Sequence, residues 1–215
     1  MMAKQAISTP VIRRLPRYYR FLGELEAEQM ERISSKELAQ RMGLSASQIR
    51  QDFNCFGGFG QQGYGYNISE LREKIGNILG VNEKTGVILI GAGNLGKAVA
   101  THLDFRKRGC RLVGIFDRNE ELHGVVTAGL TIQPMHRLAD FCRQYQPEVA
   151  VLCIPKGAAQ ELADQLLALG IRGFWNFSHF DLRINNPHII VENVHLGDSL
   201  MTLAYCMHST EKEKK

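Results

Sequence analysis

Apolar residues near the start of the chain recur at helical spacing. Leu15, Tyr18, Leu22 and Leu25 follow one another at intervals of three or four residues. At this spacing all four side chains lie on one face of a helix. The pattern therefore predicts an amphipathic first helix whose apolar side enters a core.

Two capping signals follow the first helix. Residues 34–37 and 45–48 each begin with serine and end with glutamate or glutamine, which is the capping box that starts many helices. They predict short helices over 34–41 and 45–53, with Gly43 interrupting the path between them. Two short helices joined by a tight turn that contains glycine are typical of a helix-turn-helix.

The second of these helices has two distinct faces. Ile49 and Phe53 are four residues apart and are predicted to point inward. The opposite face is polar and suits hydrogen bonds to base edges and phosphates in a major groove; it consists of Ser47, Arg50, Gln51 and Asn54. An ordinary solvent-exposed face is the alternative.

A segment rich in glycine and aromatic residues, 56–67, comes next. Its glycines exclude a helix, and its alternating aromatic residues favour a short two-stranded hairpin over a glycine-rich linker. A hairpin in this position is the wing of a winged-helix domain. Asn67 or Ser69 then caps a further helix, and residues 82–86 mark the predicted domain boundary.

From residue 87 onward, predicted strands and helices alternate, which indicates a parallel sheet of the Rossmann type. The uninterrupted apolar run 87–90 suits a central strand covered on both faces. A turn with the pattern G-x-G-x-x-G leads from it into a helix predicted over 94–108. Further strands are predicted at 111–117, 131–133, 148–155, 173–176 and 189–193, and further helices at 135–144 and 158–169.

Each glycine of this turn has its own expected role. Gly91 allows the tight turn, Gly93 lets the backbone approach a pyrophosphate, and Gly96 lets helix and strand pack closely. The start of the helix offers amide groups to the anionic diphosphate. These features predict a dinucleotide site that includes Gly91, Ala92, Gly93, Asn94, Leu95 and Gly96.

An acid ends the second predicted strand of this sheet. Asp117 stands 21 residues after Gly96 (117 − 96). An acid at this distance accepts hydrogen bonds from the adenosine ribose hydroxyls and repels a 2′-phosphate, which favours NAD(H) over NADP(H). Arg118 is the counter-argument, because an arginine here can bind that phosphate. We give the acid more weight.

The nicotinamide end of the site should lie beyond the carboxyl ends of the other strands. The residues predicted there are Ile154, Pro155, Asn176, Phe177 and Ser178. An apolar wall from Phe177 and Pro155 would favour the neutral reduced ring over the cationic NAD⁺ ring. His179 is the one candidate acid or base, and the sequence contains neither a Tyr-x-x-x-Lys pair nor a His-Glu-x-x-His motif.

The last predicted helix, 196–207, is apolar on more than one side. Its large apolar residues are Leu196, Leu200, Met201, Leu203, Tyr205 and Met207. A helix that is apolar all round needs two partners. We therefore expect it to pack on, or exchange with, a second subunit; burial within its own domain is the alternative.

Composition and charge narrow the class of protein. No apolar run approaches the roughly 18 residues of a membrane span and no signal-peptide core opens the chain, so we expect a cytoplasmic protein without a membrane partner. The five cysteines are widely spaced, and we expect most to be reduced core residues and no metal site. The net charge is only +4, but residues 1–23 hold five basic side chains and no acid. That excess suits phosphate contact, with a solvated helix surface as the alternative.

Several of these segments together closely resemble the Rex family of bacterial redox-sensing transcriptional repressors. The resemblance covers nearly the whole chain and rests on residues 14–20, 45–53, 56–60, 63–67, 91–96 and 173–177. It implies a homodimer that represses fermentative and respiratory genes. The dimer would bind palindromic operator DNA when NADH is scarce and release it when NADH rises.

The resemblance also implies an assignment of domains. Residues 1–82 would form a winged-helix DNA-binding domain and 83–195 an NAD(H)-binding Rossmann domain. Residues 196–215 would form a dimerisation helix, exchanged between subunits, and a tail. The residues expected to contact DNA are Arg13, Arg14, Arg17, Ser45, Ser47, Gln48, Arg50, Gln51, Gln61, Gln62, Gly63 and Tyr64.

Two positions depart from the family pattern. Gln61 and Gln62 stand in the wing where relatives often carry basic residues, so we expect weaker attraction to the DNA backbone there. His195 stands where some relatives have an acid that pairs with an arginine matching Arg14. Asp198 is an alternative partner for that arginine.

Two other functions remain open on the sequence. One is a small NAD(H)-dependent oxidoreductase with a helical appendage, against which the missing catalytic pair argues. The other is a regulator whose pocket holds a different nucleotide, and Asp117 is the residue that discriminates against it.

Overall fold

The computed structural model of the chain describes residues 7–57, 64–182, 184 and 188–212. The chain divides into two compact units, Met1–Glu83 and Lys84–Lys215. We call them the N-terminal unit and the C-terminal unit.

The N-terminal unit is mainly helical. The predicted stripe of the first helix is confirmed, because Leu15, Tyr18, Leu22 and Leu25 are all buried. The first and last helices of the unit pack against each other. The elements are α1 (Thr9–Ala27), β1 (Arg32–Ile33), α2 (Ser35–Met42), α3 (Ala46–Asn54), β2 (Tyr66–Asn67) and α4 (Ile68–Leu79).

Side-chain caps set the starts of α2, α3 and α4. Ser34, Ser45 and Asn67 each accept a hydrogen bond from the backbone N–H three residues further on, at 3.0–3.1 Å. Each cap satisfies one amide that the first turn of a helix leaves without a partner. Gly43 ends α2 in the left-handed conformation, with φ 65°. The predicted helix-turn-helix is therefore confirmed, and of the two candidate caps for α4 it is Asn67 that acts.

The strand at the end of the glycine-rich segment pairs with an unexpected partner. Tyr66–Asn67 forms an antiparallel pair with Arg32–Ile33, which the sequence analysis did not predict as a strand. Two residues are too few to show an alternating pattern, so this partner carries no periodic signal. Gly65 has φ +72°, and a Cβ there would lie 2.8 Å from the Ile33 carbonyl oxygen. Gln61, Gln62 and Gly63 of the predicted wing lie outside the described residues.

The C-terminal unit contains a seven-stranded sheet with helices. Its elements are β3 (Thr85–Ile90), α5 (Asn94–His102), β4 (Cys110–Asp117), β5 (Val126–Thr127), β6 (Leu130–Pro134), α6 (Leu138–Tyr145), β7 (Val149–Leu152), α7 (Ala159–Ala168), β8 (Gly173–Asn176), β9 (Ile190–Asn193) and α8 (Leu196–Lys212). The strand order is β5-β6-β4-β3-β7-β8-β9, and among the described strands of this sheet only the short β5 pairs antiparallel.

The central strand β3 is covered on both faces. Ile88 and Ile90 belong to one buried cluster, whereas Val87 and Leu89 belong to another. Successive side chains of a strand point to opposite faces, so the two clusters are the two cores of the sheet. From β3 the chain proceeds first to β4 and β6 on one side, and then to β7, β8 and β9 on the other. The order thus reverses between β3 and β7, which is where ligands bind in such sheets.

Three predicted elements are wrong in length. The last helix, predicted to end at residue 207, continues to Lys212. The helix predicted to run to residue 108 ends at His102, because Leu103 takes an extended conformation. Asp104 then accepts a hydrogen bond from the backbone N–H of Lys107 at 3.2 Å and starts a separate turn of 3-10 helix. The strand predicted over 148–155 is shorter, Val149–Leu152.

Three of the five cysteines lie in or against the cores of the C-terminal unit, as expected for most of them. Cys142 is buried, and the half-buried Cys110 and Cys153 pack against a core cluster. Cys55 and Cys206 are exposed. No helix among the described residues is long and apolar enough to span a membrane.

The terminal helix α8 is exposed in the single chain. Its large apolar residues are each more than half exposed, including Leu200 at 67% and Tyr205 at 73%. The alternative that this helix is buried in its own domain is therefore wrong. A contiguous apolar surface of this kind marks an interaction site.

The glycine turn after β3 is held by close backbone packing. Gly91 has φ +97°, and a Cβ on Gly91 would overlap the carbonyl oxygen of Cys153. A Cβ on Gly96 would overlap the carbonyl oxygen of Gly91, so the first turn of α5 lies directly against the end of β3. Gly93, in contrast, has open space where its Cβ would be.

We predict that Gly96→Ala destabilises the C-terminal unit by about 3 kcal/mol, because the new methyl group meets backbone that cannot move aside cheaply. Urea unfolding followed by fluorescence measures this, since Trp175 in β8 is the only tryptophan. Gly93→Ala is the matched control and should change stability by less than about 1 kcal/mol, because φ −68° at Gly93 suits alanine. Equal stability of the two variants would contradict the packing described.

Candidate nucleotide site and nucleic-acid interface

The predicted dinucleotide turn lies at the reversal point of the sheet. Gly91 follows β3 directly and contacts the loop after β7, where a Cβ on Gly91 would lie 3.1 Å from the Cγ2 of Ile154. The ends of the two strands on either side of the reversal are thereby brought together. This is the crevice in which a dinucleotide crosses from one half of a Rossmann sheet to the other.

The start of α5 presents its amides without a side-chain cap. Its N-cap is Gly93, and no side chain of the described residues accepts a hydrogen bond there. Gly93, Asn94 and Leu95 are all exposed. The first N–H groups of a helix need partners, and together with the helix dipole they favour an anion. A diphosphate is the ligand that fits this end of α5.

Asp117 ties the end of β4 to the glycine turn. Its Oδ2 accepts a hydrogen bond from the backbone N–H of Ala92 at 2.5 Å, and its Oδ1 accepts one from the N–H of Asn119 at 2.7 Å. The residue is 9% exposed. Each carboxylate oxygen has a second lone pair, so Asp117 can still accept hydrogen bonds from ribose hydroxyls. Arg118 is exposed beside it.

At the predicted nicotinamide end, Asn176 and Ser178 are buried and bonded to their surroundings. The amide Nδ2 of Asn176 donates to the Phe180 carbonyl at 2.6 Å and to Asn193 Oδ1 at 2.8 Å. Its Oδ1 accepts from the backbone N–H and the hydroxyl of Ser178. These bonds hold the loop after β8 in shape, and a cofactor contact by either side chain stays a prediction.

The other three residues predicted at this end differ in exposure. Phe177 is 8% exposed and packs edge-on against Trp175, with ring centroids 4.7 Å apart. Ile154 is half-buried, and Pro155 is exposed. Only a small part of Phe177 therefore remains available as an apolar wall.

A cleft of ≈ 450 Å³ beyond these strands contains residues that the sequence analysis did not place together. Lys156, His179, Phe180, Asp181 and His195 line it. His195 Nε2 lies 2.8 Å from Asp181 Oδ1, and this hydrogen bond raises the pKa of His195. His179 was predicted in this region, but the pairing of His195 with Asp181, 14 residues apart, has no sequence signal.

The polar face predicted on the second helix of the helix-turn-helix is confirmed. Ser47, Arg50 and Gln51 are exposed on α3, whereas Ile49 and Phe53 are buried. Nη1 of Arg50 donates to the hydroxyl of Ser35 at 3.2 Å. Tyr64, at the edge of the described wing residues, is 70% exposed.

The arginines of α1 differ in their surroundings. Arg13 and Arg17 are exposed, and Arg17 donates a hydrogen bond to the carbonyl of Met42 at the end of α2. Arg14 instead forms a two-point ion pair with Asp52 of α3, at 2.7 Å for both Nε and Nη2. Its predicted contact with DNA phosphate stays a prediction.

Asp52 is a buried carboxylate that the sequence analysis missed. It is 1% exposed and also accepts hydrogen bonds from the Tyr18 hydroxyl and the Gln48 amide, each at 2.8 Å. Burial alone would raise the pKa of Asp52, but the hydrogen bonds from Arg14, Tyr18 and Gln48 outweigh it and hold the pKa below its usual value. Its spacing was the available signal, because Asp52 follows Ile49 by three residues and therefore lies on the buried face of α3.

Comparison with known protein families identifies both parts of the chain. A model described as "Putative DNA-binding protein N-terminus" matches residues 6–54, and one described as "CoA binding domain" matches residues 82–180. A relative from Caldanaerobacter subterraneus subsp. tengcongensis, the "Redox-sensing transcriptional repressor Rex", is 49% identical over 215 residues, which is 100% of this chain and 96% of that protein.

Solved structures agree with the sequence relatives. A crystal structure of RSP in complex with β-NAD⁺ and operator DNA has a TM-score of 0.89 and 47% identity, covering 97% of this chain and 96% of that one. A crystal structure of RSP in complex with β-NADH has a TM-score of 0.88 and 45% identity, covering 97% of both chains.

We predict that Arg14→Met destabilises the N-terminal unit by about 3 kcal/mol at pH 7, because it leaves a buried charge with half of its hydrogen bonds. The free energy that comes from ionised Asp52 is present above its unfolded pKa of about 4 and is lost as pH falls through the lower folded pKa. The difference between wild type and variant should therefore shrink below about pH 4.

Urea unfolding followed by circular dichroism measures this difference, and Trp175 fluorescence reports separately on the C-terminal unit. A difference that stays constant between pH 7 and pH 3 would show that the charge of Asp52 is not its source.

Proposed function

The chain belongs to the Rex family of redox-sensing transcriptional repressors, and on this premise we propose that it represses transcription as a homodimer. The dimer binds palindromic operator DNA through its N-terminal units and releases it when NADH binds the C-terminal units. It is a transcriptional regulator and not an enzyme, so the oxidoreductase alternative is not retained.

The observation that carries the proposal is the bare start of α5 beside Asp117. The amides of Asn94, Leu95 and Gly96 would receive the diphosphate, and Gly93 would let it approach the backbone. Asp117 would accept the adenosine ribose hydroxyls while keeping its bond to the Ala92 amide. This arrangement supports a cofactor with an unsubstituted adenosine ribose, which NAD⁺ and NADH have.

The same carboxylate argues against the other nucleotides. Coenzyme A carries a phosphate on its adenosine ribose, and so does NADP(H). A phosphate placed beside the buried Asp117 would be repelled. Arg118 is exposed on the solvent side and does not neutralise that carboxylate in the described structure. RSP, 47% identical, is known in complex with β-NAD⁺.

The DNA-binding face of the proposed repressor is the exposed side of α3. Its first turns would enter the major groove, as recognition helices do, with Ser45, Ser47, Gln48, Arg50 and Gln51 nearest the bases. Arg13, Arg14 and Arg17 would contact phosphates and make the affinity strongly dependent on salt. Tyr64, with Gln61, Gln62 and Gly63, would lie along the backbone.

The exposed apolar surface of α8 supports the dimer. Leu200, Met201 and Leu203 would be buried against a second copy, and exchange of the helix between subunits would cover both of its sides. A twofold dimer presents two recognition helices at a fixed separation, so its target is a palindrome with fixed half-site spacing. In this assignment residues 1–82 bind DNA, 83–195 bind NAD(H) and 196–215 dimerise.

The switch requires differential affinity for NADH. NADH must bind more tightly to the arrangement of the dimer that cannot hold DNA than to the arrangement that can. We propose that the nicotinamide end makes this distinction. The residues at that end are Ile154, Pro155, Asn176, Phe177 and Ser178. Pro155 and the exposed edge of Phe177 would disfavour the cationic ring of NAD⁺ relative to the neutral ring of NADH.

A repressor of this kind acts where the chromosome is. We therefore propose that the protein is located in the bacterial cytoplasm.

We predict that NADH releases the protein from operator DNA. In a gel-shift titration, an operator duplex selected from a randomised palindromic pool should bind without cofactor and dissociate as NADH is added. Arg50→Ala is the matched variant: it should lose operator affinity by at least about tenfold while keeping its affinity for NADH.

Two results would refute the proposed function. One is wild-type protein that binds the duplex equally well with saturating NADH and without NADH. The other is oxidation of NADH by the protein with simple aldehydes or ketones. Loss of both ligands in Arg50→Ala would indicate that the variant is misfolded, and Arg50→Lys would then replace it in the comparison.

A further inference from the structure

The hydrogen bonds of Asp52 are divided evenly between its two oxygens. Oδ1 accepts from Arg14 Nη2 at 2.7 Å and from Gln48 Nε2 at 2.8 Å. Oδ2 accepts from Arg14 Nε at 2.7 Å and from the Tyr18 hydroxyl at 2.8 Å. Four donors from α1 and α3 therefore converge on one carboxylate that is 1% exposed.

This carboxylate decides which way the amide of Gln48 points. An ionised carboxylate only accepts hydrogen bonds, so the side of the Gln48 amide that faces it must be the NH₂ group. The amide is planar, so its carbonyl oxygen Oε1 takes the position that the NH₂ group does not occupy. The oxygen and nitrogen of a glutamine amide are usually hard to distinguish, but the charge of Asp52 distinguishes them in Gln48.

Gln48 stands where a recognition helix reads DNA. It is the third residue of α3, half-buried, and flanked by the exposed Ser47 and Gln51. The first turn of a recognition helix is the part that contacts base edges. The Gln48 amide thus bonds to the buried carboxylate, while the side chain is only half-buried and lies beside the exposed residues of α3.

We propose that Asp52 is a positioning residue for base recognition, which holds Gln48 so that its Oε1 accepts a hydrogen bond from a base in the major groove. This inference rests on the proposed function. The amino groups that donate in the major groove are N6 of adenine and N4 of cytosine, whereas guanine and thymine present O6 and O4 acceptors. At one position of each half-site the protein therefore selects adenine or cytosine on the contacted strand.

Removal of the carboxylate tests this role of Asp52. In Asp52→Ala the Gln48 amide loses the acceptor that fixes its NH₂ group. It can then present either its oxygen or its NH₂ group to the DNA, so the preference for adenine or cytosine at that position should be lost.

The test is selection of binding sites from a randomised palindromic duplex pool, with each variant as the full-length protein and with circular dichroism to check folding. Wild type should favour adenine or cytosine at one position by about fivefold or more, as expected for one base-edge hydrogen bond. Gln48→Met should lose the preference at that position and no other. Asp52→Ala should also lose the preference at that position and keep it at the others.

Tyr18→Phe is the matched control, because it removes a donor from Oδ2 and leaves the Oδ1 bond to Gln48 in place. It should be less stable than wild type but keep the same base preference. A Gln48→Met protein with the wild-type preference at every position would overturn the proposal. So would a folded Asp52→Ala protein that keeps the full wild-type preference at the Gln48 position.

Failure of the proposed function would look different. In that case wild-type protein would select no sequence at all from the pool. If Asp52→Ala does not fold, Gln48→Met still decides whether Gln48 reads a base. Gln48→Asn, whose shorter side chain cannot span from Asp52 to the groove, should lose the same preference.

Discussion

The close packing of Gly96 on the carbonyl of Gly91 is the constraint on which the C-terminal unit depends. Because neither residue adds a side chain there, α5 begins directly against the end of β3, at the point where the strand order reverses. The amides of its first turn are left without a side-chain cap, unlike those of α2, α3 and α4. In the proposed function the backbone itself would form the anion site, and Asp117 beside it would restrict which nucleotide fits.

A buried charge has the corresponding role in the N-terminal unit. In the small helix-turn-helix, hydrogen bonds from Arg14 and Tyr18 to Asp52 join α1 to the recognition helix and add to the apolar contact between the two helices. The paired carboxylate adds direction to that contact, because its hydrogen bonds are satisfied in only one relative placement of α1 and α3. Burying a charge for this purpose costs stability, and the donors from Arg14, Tyr18 and Gln48 offset that cost.

The sequence predicted most of the fold, because the features that build it are local. Capping boxes, the glycine turn and continuous apolar strands each have a pattern within ten residues. The pair of Arg32–Ile33 with Tyr66–Asn67, the bond between Asp181 and His195, and the bond between Arg14 and Asp52 join residues distant in sequence. Such pairings have no local pattern, which is why Arg14 was predicted as a phosphate contact or as a partner of Asp198 and not as the partner of Asp52.

The central claim is that NADH and operator DNA favour different states of one dimer, and reciprocal linkage tests it most directly. If NADH weakens DNA binding, DNA must weaken NADH binding by the same factor, typically about 5- to 150-fold. The measurement is the Kd for NADH with and without saturating operator duplex, with a scrambled duplex of equal length as control. The account predicts that the operator duplex raises the Kd for NADH by the same factor by which NADH weakens DNA binding, and that the scrambled duplex does not raise it. An NADH Kd that operator DNA leaves unchanged would contradict it.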